Sequence, residues 1–135
     1  MVKKLKIVDC SNEYWEFVRE LRNNPIVKSG FVNQDHIAKS QQKEYMKINS
    51  KNYKICLKDD IPVGYFGVIE NDIRVCTLPE YQKQGIGTFM LLELKKIWPK
   101  ANARIKAENF ASVALFKKSG FEETFVLMEN RESIK

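Results

Sequence analysis

The stretch Cys76–Thr88, CTLPEYQKQGIGT, constrains the fold of this chain more than any other. An apolar run passes through a proline and then through Gly85 and Gly87 into an uninterrupted helical pattern. Such a helix start presents unpaired backbone N–H groups and the positive end of the helix dipole. Because glycines lack a Cβ, a phosphate can approach the backbone closely. The pattern predicts a phosphate or pyrophosphate site at Gln84–Thr88, with Lys83 as an added mobile charge.

An ordinary turn before a helix is the alternative interpretation, because two glycines often mark one. Two better-known phosphate motifs are absent from the stretch, the G-x-G-x-x-G dinucleotide fingerprint and the G-x-x-x-x-G-K-[ST] P-loop. The pattern that remains over residues 82–87 is Q-x-x-G-x-G.

Following a strand that ends in P-E-Y, this Q-x-x-G-x-G resembles the acyl-CoA-binding motif of the GCN5-related N-acetyltransferase (GNAT) superfamily. A second segment, Asn109–Phe121, is similar to the superfamily's later helix, usually written N-x-x-A-x-x-[LF]-[YF]-x-x-x-G-F. The two motifs stand in the expected order and at the expected separation. The resemblance implies a single GNAT-like acyltransferase domain over residues 1–135.

Hydrophobic patterning predicts six strands and four helices, and by itself gives only a single domain of the α/β or α+β class. The resemblance implies a mixed central β-sheet flanked by helices, in the order β-α-α-β-β-β-α-β-α-β. Only Asn130–Lys135 follow the last predicted strand, so the seventh strand of the family is expected to be missing. The strands are predicted at Lys4–Val8, Tyr53–Leu57, Val63–Ile69, Ile73–Leu78, Arg104–Ala107 and Glu123–Met128, and the helices at residues 12–22, 36–49, 88–98 and 110–119.

The composition is that of a soluble globular domain, with 44% hydrophobic and 30% charged residues in 135. The basic N-terminal run is too short for a signal peptide or a membrane span, so a cytoplasmic location is the default. Three cysteines without C-x-x-C spacing favour free thiols in a reducing compartment. With His36 as the sole histidine, a metal site is not expected.

The net charge of +6 is compatible with nucleic acid, an anionic cofactor or an acidic substrate. The basic residues are dispersed, without an arginine-rich helix or an aromatic ladder, so neither nucleic acid nor a membrane is an expected partner. Binding of the anionic coenzyme A and general solvation of the surface explain the positive net charge equally well.

The resemblance further implies acetyl-CoA as co-substrate. Its pyrophosphate would lie over Lys83–Thr88 and its pantetheine along the strand, with the backbone N–H near Val75 polarising the thioester carbonyl. Asn109 matches a position that commonly binds the pantetheine, although a plain N-cap is the alternative. Ser112 could reach a polar group of the cofactor or lie on the helix surface. The implied cofactor-binding residues are Val75, Cys76, Thr77, Lys83, Gln84, Gly85, Ile86, Gly87, Thr88, Asn109 and Ser112.

The proton chemistry departs from the family pattern. Many members carry a tyrosine, their usual general acid, where this chain has Phe116, which cannot donate a proton. The leaving thiolate would then be helped by water, by the backbone, or by another residue such as Tyr81 or Tyr65.

Two carboxylates stand where some family members place a catalytic glutamate. Asp72 is the first choice as the base that removes a proton from the amine, and Glu70 the second; exposed turn residues are the alternative. Cys76 as an acylated nucleophile is less favoured than a small buried strand residue.

The acceptor is the least constrained part. Leu21–Val27, LRNNPIV, is similar to a segment of GNAT enzymes that act on nucleotide-linked amino sugars, and it also occurs in ribosomal-protein acetyltransferases. Arg22 or Arg74 could bind an anionic acceptor. With the seventh strand missing, one wall of the acceptor cleft is open or completed by a homodimer partner or by a fused or partner domain.

These features together predict an acetyl-CoA-dependent N-acetyltransferase in which a primary amine attacks the thioester directly. The expected partner is a small-molecule amine, with an amino sugar, free or nucleotide-linked, as the first candidate. The alternatives are acetylation of a protein lysine or N-terminus, and a non-catalytic acyl-CoA-binding module.

Overall fold

The computed structural model describes residues 4–31 and 34–133. Its strands are β1 (Leu5–Asp9), β2 (Tyr53–Lys58), β3 (Ile61–Ile69) and β4 (Asp72–Thr77). Its helices are α1 (Trp15–Asn23), α2 (Pro25–Lys28), α3 (Lys39–Asn49), α4 (Ile86–Ile97) and α5 (Phe110–Lys118). Short 3₁₀ turns lie at Asn12–Tyr14, Ser50–Asn52, Pro79–Tyr81 and Arg131–Ser133. None of the helices in these ranges is long and apolar enough to cross a membrane.

The four strands form one antiparallel sheet in the order β1-β2-β3-β4. Strand β3 is buried continuously over residues 63–68, because it is an inner strand with helices over both of its faces. This explains why its sequence is apolar throughout rather than alternating. The α/β class, with a central sheet flanked by helices, is confirmed.

The sheet separates two hydrophobic cores, one on each of its faces. On one face, Val18 and Leu21 of α1 pack with Tyr53 and Tyr65. On the other face, one side of α4 packs against β3 and β4 through Ile86, Met90, Leu91 and Leu94, spaced as one face of a helix. The sheet therefore has an α1 face and an α4 face, and strand β4 contributes side chains to both.

The two last predicted strands are wrong. Residues 104–107 contain no strand, and their neighbourhood pairs with β4 only through one parallel bridge, Asp72 to Asn102. The prediction at Glu123–Met128 also fails, since this segment is irregular and its four apolar side chains are 75–93% exposed. Strand propensity alone does not form a strand where no neighbouring edge pairs with it.

The N-terminal half differs in smaller ways. The first helix begins with a 3₁₀ turn before α1, and α3 begins at Lys39 rather than His36. Pro25–Lys28, which lies outside the predicted helices, is a short helix, because the Asn24 side chain accepts a hydrogen bond from the Ile26 N–H at 2.9 Å. Pro25 occupies the first helical position, where its missing N–H costs nothing.

Candidate active site

A cleft of about 820 Å³ opens between β4, the start of α4 and α5. The Ile73 N–H donates to the Asn102 carbonyl at 2.8 Å, but no further ladder bond joins β4 to the segment that follows Asn102. The two segments therefore separate beyond this point. The resulting gap exposes the edge of β4 to the cleft.

The direction of the backbone groups of β4 follows from its hydrogen bonds. The Ile73 N–H points toward the cleft edge, whereas the Leu78 N–H donates to Val63 of β3 at 2.8 Å. Because N–H directions alternate along a strand, the N–H groups of Val75 and Thr77 also point toward the cleft. Both residues line the cleft. The geometry thus presents an unpaired donor at Val75, where one was predicted.

A second set of donors lies at the start of α4. Gly85 is the N-cap with a φ of 82°, and Lys83 in the same loop has a φ of 63°. The first bond of the helix runs from the Phe89 N–H to the Gly85 carbonyl at 3.0 Å. Within the described ranges, the N–H groups of residues 86–88 donate to no other group. An ideal Cβ on Gly85 would meet no atom within 4 Å, so space is open above this helix start.

Of the remaining predicted cofactor residues, Lys83, Gly85, Gly87 and Thr88 line the cleft, as do Cys76, Asn109 and Ser112. Two residues of the motif do not line it with their side chains. Gln84 is turned away and accepts a hydrogen bond from Lys58. Ile86 is buried in the core at 2% exposure. Any contact of these two residues with a ligand in the cleft therefore comes from their backbone.

Asn109 links the loop after α2 to the start of α5. Its Oδ1 accepts from the Ser112 N–H at 3.3 Å, which confirms the N-cap of α5. Its Nδ2 donates to the Gly30 carbonyl at 3.3 Å and so fixes the loop after α2 against α5. A contact between Asn109 and pantetheine stays a prediction.

The two predicted carboxylates have different positions. Asp72 lines the cleft, and its Oδ2 lies 3.2 Å from Nε of Arg74. Glu70 is exposed, has a φ of 51° in the β3–β4 turn, and is not part of the lining. The structure therefore brings only Asp72 to the cleft.

Phe116 lines the cleft and packs edge-to-face on Phe121, with 5.2 Å between the ring centroids. It offers no proton at this position. Tyr81 also lines the cleft, with the Lys58 ammonium 5.3 Å from its ring centroid. Both aromatic residues lie at the α4 and α5 side of the cleft.

Tyr65 reaches the cleft from β3 and is 2% exposed. Burial raises its pKa well above the ordinary value, so the phenol stays protonated at neutral pH. Its hydroxyl makes no hydrogen bond within the part of the chain that the structure describes. In that part of the chain, every side-chain nitrogen or oxygen that is fully buried has a partner. Because the Tyr65 oxygen has none, it is not fully buried and is open to the cleft.

The Cys76 thiol is buried beside Tyr65 on the same side of the sheet. Burial raises the pKa of Cys76 far above its usual value, and the charge of Arg22 offsets this effect only in part. Burial also raises the pKa values of Cys10 and Cys56 to about 11. Because the thiolate is the nucleophile, this environment disfavours an acylated Cys76.

Sequence reasoning missed part of the acceptor side. Phe31 and Arg104 line the cleft, and the Arg22 guanidinium lies 5.6 Å from the Phe31 ring centroid. Phe31 lies in a segment without periodicity, so an aromatic residue directly after a glycine was the only signal. In residues 4–31 and 34–133, no group of three or more His, Cys, Asp or Glu could hold a metal ion.

A family model described as "Acetyltransferase (GNAT) domain" matches residues 49–123. Comparison with curated protein sequences gives no match. Among solved structures, the chain is similar to spermidine N-acetyltransferase from Vibrio cholerae in complex with CoA and spermine, with a TM-score of 0.81 and 16% identity over 93% of this chain and 85% of that chain.

Two further solved structures share the fold. One is ribosomal-protein-alanine N-acetyltransferase from Brucella melitensis, with a TM-score of 0.74 and 20% identity over 89% of this chain and 86% of that chain. The other is AAC(6')-Iy in complex with the bisubstrate analogue CoA-S-monomethyl-acetylneamine, with a TM-score of 0.68 and 16% identity over 95% of this chain and 97% of that chain.

Proposed function

Since the chain belongs to the GNAT acetyltransferase family, we propose that it transfers the acetyl group of acetyl-CoA to the primary amine of a small molecule by direct attack. N-acetyltransferase activity with acetyl-CoA as co-substrate is the property of the family. The observation that carries the proposal is the convergence of two sets of unpaired N–H donors on one cleft, at Val75 and at the start of α4.

These donors suit two parts of the same co-substrate. The α4 N-terminus offers three N–H groups and a helix dipole to a pyrophosphate, with Lys83 nearby. The Val75 N–H is placed to hydrogen-bond a thioester carbonyl at the edge of β4. One well-placed donor to a developing oxyanion contributes about 3–4 kcal/mol to catalysis. Since main-chain groups do this, substitutions of the Val75 side chain should have small effects.

Proton transfer is assigned to residues that line the cleft. A primary amine with a pKa of about 10.4 must lose a proton before it attacks. We assign the base to Asp72, which reaches the cleft while Glu70 does not. We assign protonation of the leaving thiolate to Tyr81, a phenol that lines the cleft; Tyr65, which also lines it, is the alternative donor.

We expect Asp72→Asn and Tyr81→Phe each to lower kcat by about 10²-fold or more, the usual contribution of one acid or base. Affinity for acetyl-CoA should stay unchanged, because neither side chain contacts the donors that hold it. Glu70→Gln is the matched control and should retain full turnover. Steady-state kinetics with binding measured by calorimetry test this. Unaltered kcat in a folded variant removes that residue from the mechanism.

An amino sugar is our first candidate for the acceptor. In support, AAC(6')-Iy shares the fold and was solved with an analogue that joins CoA to neamine, an amino-sugar compound. The main competitor is acetylation of a protein amine, because the ribosomal-protein-alanine enzyme also shares the fold. Among the described residues that line the cleft, Asp72 is the single acid, and it is paired with Arg74. These residues therefore form no acidic groove for a basic peptide.

A non-catalytic acyl-CoA-binding module is the second competitor, favoured by Phe116. We also propose a cytoplasmic location, which suits three buried free cysteines. We also propose that a second copy of the chain or a partner domain completes the acceptor side of the cleft. The exposed apolar residues 125–128 favour it.

Thermal unfolding with acetyl-CoA, free coenzyme A, ATP and NAD tests the cofactor, followed by transfer to a panel of amino sugars and peptides. Acetyl-CoA at a hundred times its Kd should add about 2.7 kcal/mol of stability, a shift on the order of ten degrees. A shift with the coenzyme A species and turnover of small amines support the proposal. Activity on peptides alone contradicts the small-molecule acceptor, and binding without any turnover favours the module.

A further inference from the structure

We propose that the amine acceptor carries an anionic group, a phosphate or a carboxylate, which Arg22 binds on the α1 side of the cleft. The inference rests on the proposed function and names the substrate class of the same site. It concerns the end of the cleft away from the start of α4. Here the side chains of Arg22, Arg74 and Tyr65 are brought together.

The placement of these residues follows from the sheet. Ile73 and Val75 belong to the core on the α4 face, whereas Cys76 belongs to the core on the α1 face. Since side chains alternate along a strand, Arg74 shares the α1 face with Cys76. Cys76 in turn pairs with Tyr65 across the ladder. Arg22 follows the buried Leu21 of α1 and lines the cleft from the same side.

Arg22 has no acidic partner within the described chain. Two nearby arginines do have acidic partners. Arg19, about one helical turn earlier on α1, pairs with Glu16 and donates to the Ile37 carbonyl at 3.0 Å. Arg74 pairs with Asp72. Arg22 instead lies half-buried over the Phe31 ring. A partly desolvated guanidinium that faces a cavity without a counter-ion gains most when a ligand supplies a planar carboxylate or a phosphate.

Tyr65 is an independent observation at the same place. Tyr65 is only 2% exposed, yet its protonated hydroxyl has no hydrogen-bond partner among the described residues. A phenolic O–H held open in this way can donate a hydrogen bond to an anionic group of the acceptor. Arg22, Arg74 and Tyr65 all line the cleft. The positive charges of the two arginines offset part of the rise that burial causes in the pKa of Tyr65.

The charges around the whole cleft agree with this assignment. Of the described residues in the lining, Asp72 is the single acid, and its partner is Arg74. The lining cations are Arg22, Arg74, Lys83, Arg104 and Lys118. Carboxylates are the groups that pair with a polyamine, so we do not extend spermine or the polyamine character of neamine from the two enzymes of the same fold to this chain. The amino-sugar candidate is kept in a form that carries an anionic group. The site instead excludes polycations by repulsion and selects an amine with a negative group.

The test compares acceptors that differ mainly in charge: glucosamine, glucosamine 6-phosphate, the carboxylated ether muramic acid, and spermidine. We expect kcat/KM of the wild-type protein to be at least about 10-fold higher for an anionic member than for glucosamine, and lowest for spermidine. The phosphate and carboxylate arms identify which anion is preferred. Arg22→Gln should reduce kcat/KM for the anionic acceptor about 10- to 100-fold through KM, leaving glucosamine unchanged, as expected for loss of one charge-assisted contact.

Arg131→Gln, an exposed arginine outside the cleft, is the matched control and should change neither value. Arg22→Lys should restore part of the preference, and acetyl-CoA affinity of each variant reports its folding. A wild-type preference for glucosamine or spermidine overturns the inference and leaves the proposed function standing. An equal loss of kcat/KM for all acceptors in Arg22→Gln likewise overturns the inference and leaves the proposed function standing. If acetyl-CoA binds but no amine is acetylated, the proposed function fails, and the inference fails with it.

Discussion

Replacement of Gly85 by aspartate should weaken acetyl-CoA binding by about 100-fold or more. Gly85 is the N-cap of α4, and an ideal Cβ there points into open space, where the proposed pyrophosphate lies. Two like charges 4 Å apart repel by about 4 kcal/mol at an effective dielectric constant near 20. Solvent screening reduces this figure, so a loss of two orders of magnitude is the expected result by calorimetry.

Gly85→Asn is the matched control for this substitution. Asparagine has the same shape as aspartate and tolerates the left-handed backbone that the φ of 82° requires, but it carries no charge. We expect its acetyl-CoA affinity to stay within about 10-fold of the wild-type value. Near-equal affinities of a folded Gly85→Asp protein and the wild type would refute the pyrophosphate assignment. Equal large losses in both variants would point to backbone strain rather than charge.

The local geometry at the start of α4 follows from the sequence because its determinants are local, whereas its role in binding acetyl-CoA stays a prediction. A glycine with positive φ, a helix start and the strand before it are encoded within about a dozen consecutive residues. The Asn109 cap of α5 is local in the same sense. Main-chain donors result directly from these elements, so their positions follow once the elements are recognised.

The acceptor side could not be predicted in the same way because it depends on tertiary contacts. Phe31 joins the cleft only because Asn109, far away in the sequence, holds the Gly30 carbonyl. Likewise, the position of Arg22 over the Phe31 ring, with no acidic partner among the described residues, depends on how α1 packs on the sheet. The sequence made Asp72 the first choice and Glu70 the second, but both stood in the same predicted turn region; the structure separates them, because the tight turn places Glu70 outside the cleft.

The failed strand predictions have a related cause. Residues 104–107 and 123–128 have strand-like composition, but a strand also needs a neighbour in register. For residues 104–107, the separation of β4 from the segment after Asn102 removes that neighbour, and the same separation opens the cleft. The feature that sequence patterns miss is therefore the one that makes room for a ligand.

Phe66→Ala should lower the free energy of unfolding by about 3–5 kcal/mol, the usual cost of emptying a fully buried phenylalanine site. Phe66 is 0% exposed in the core on the α4 face. The midpoint of thermal unfolding should fall on the order of 15 °C for a domain of this size. Urea denaturation followed by circular dichroism measures the first quantity, and a thermal scan measures the second.

The matched control is Phe125→Ala, at a phenylalanine that is 93% exposed, where we expect a change within about 0.5 kcal/mol. Phe66 also stands opposite Val75 in the β3–β4 ladder, so its loss loosens the strand that presents the Val75 N–H. Acetyl-CoA affinity should therefore fall with stability in Phe66→Ala and stay unchanged in Phe125→Ala. A stability loss at Phe125 as large as that at Phe66 would mean that residues 125–128 are covered in solution, by a second copy of the chain or by a partner.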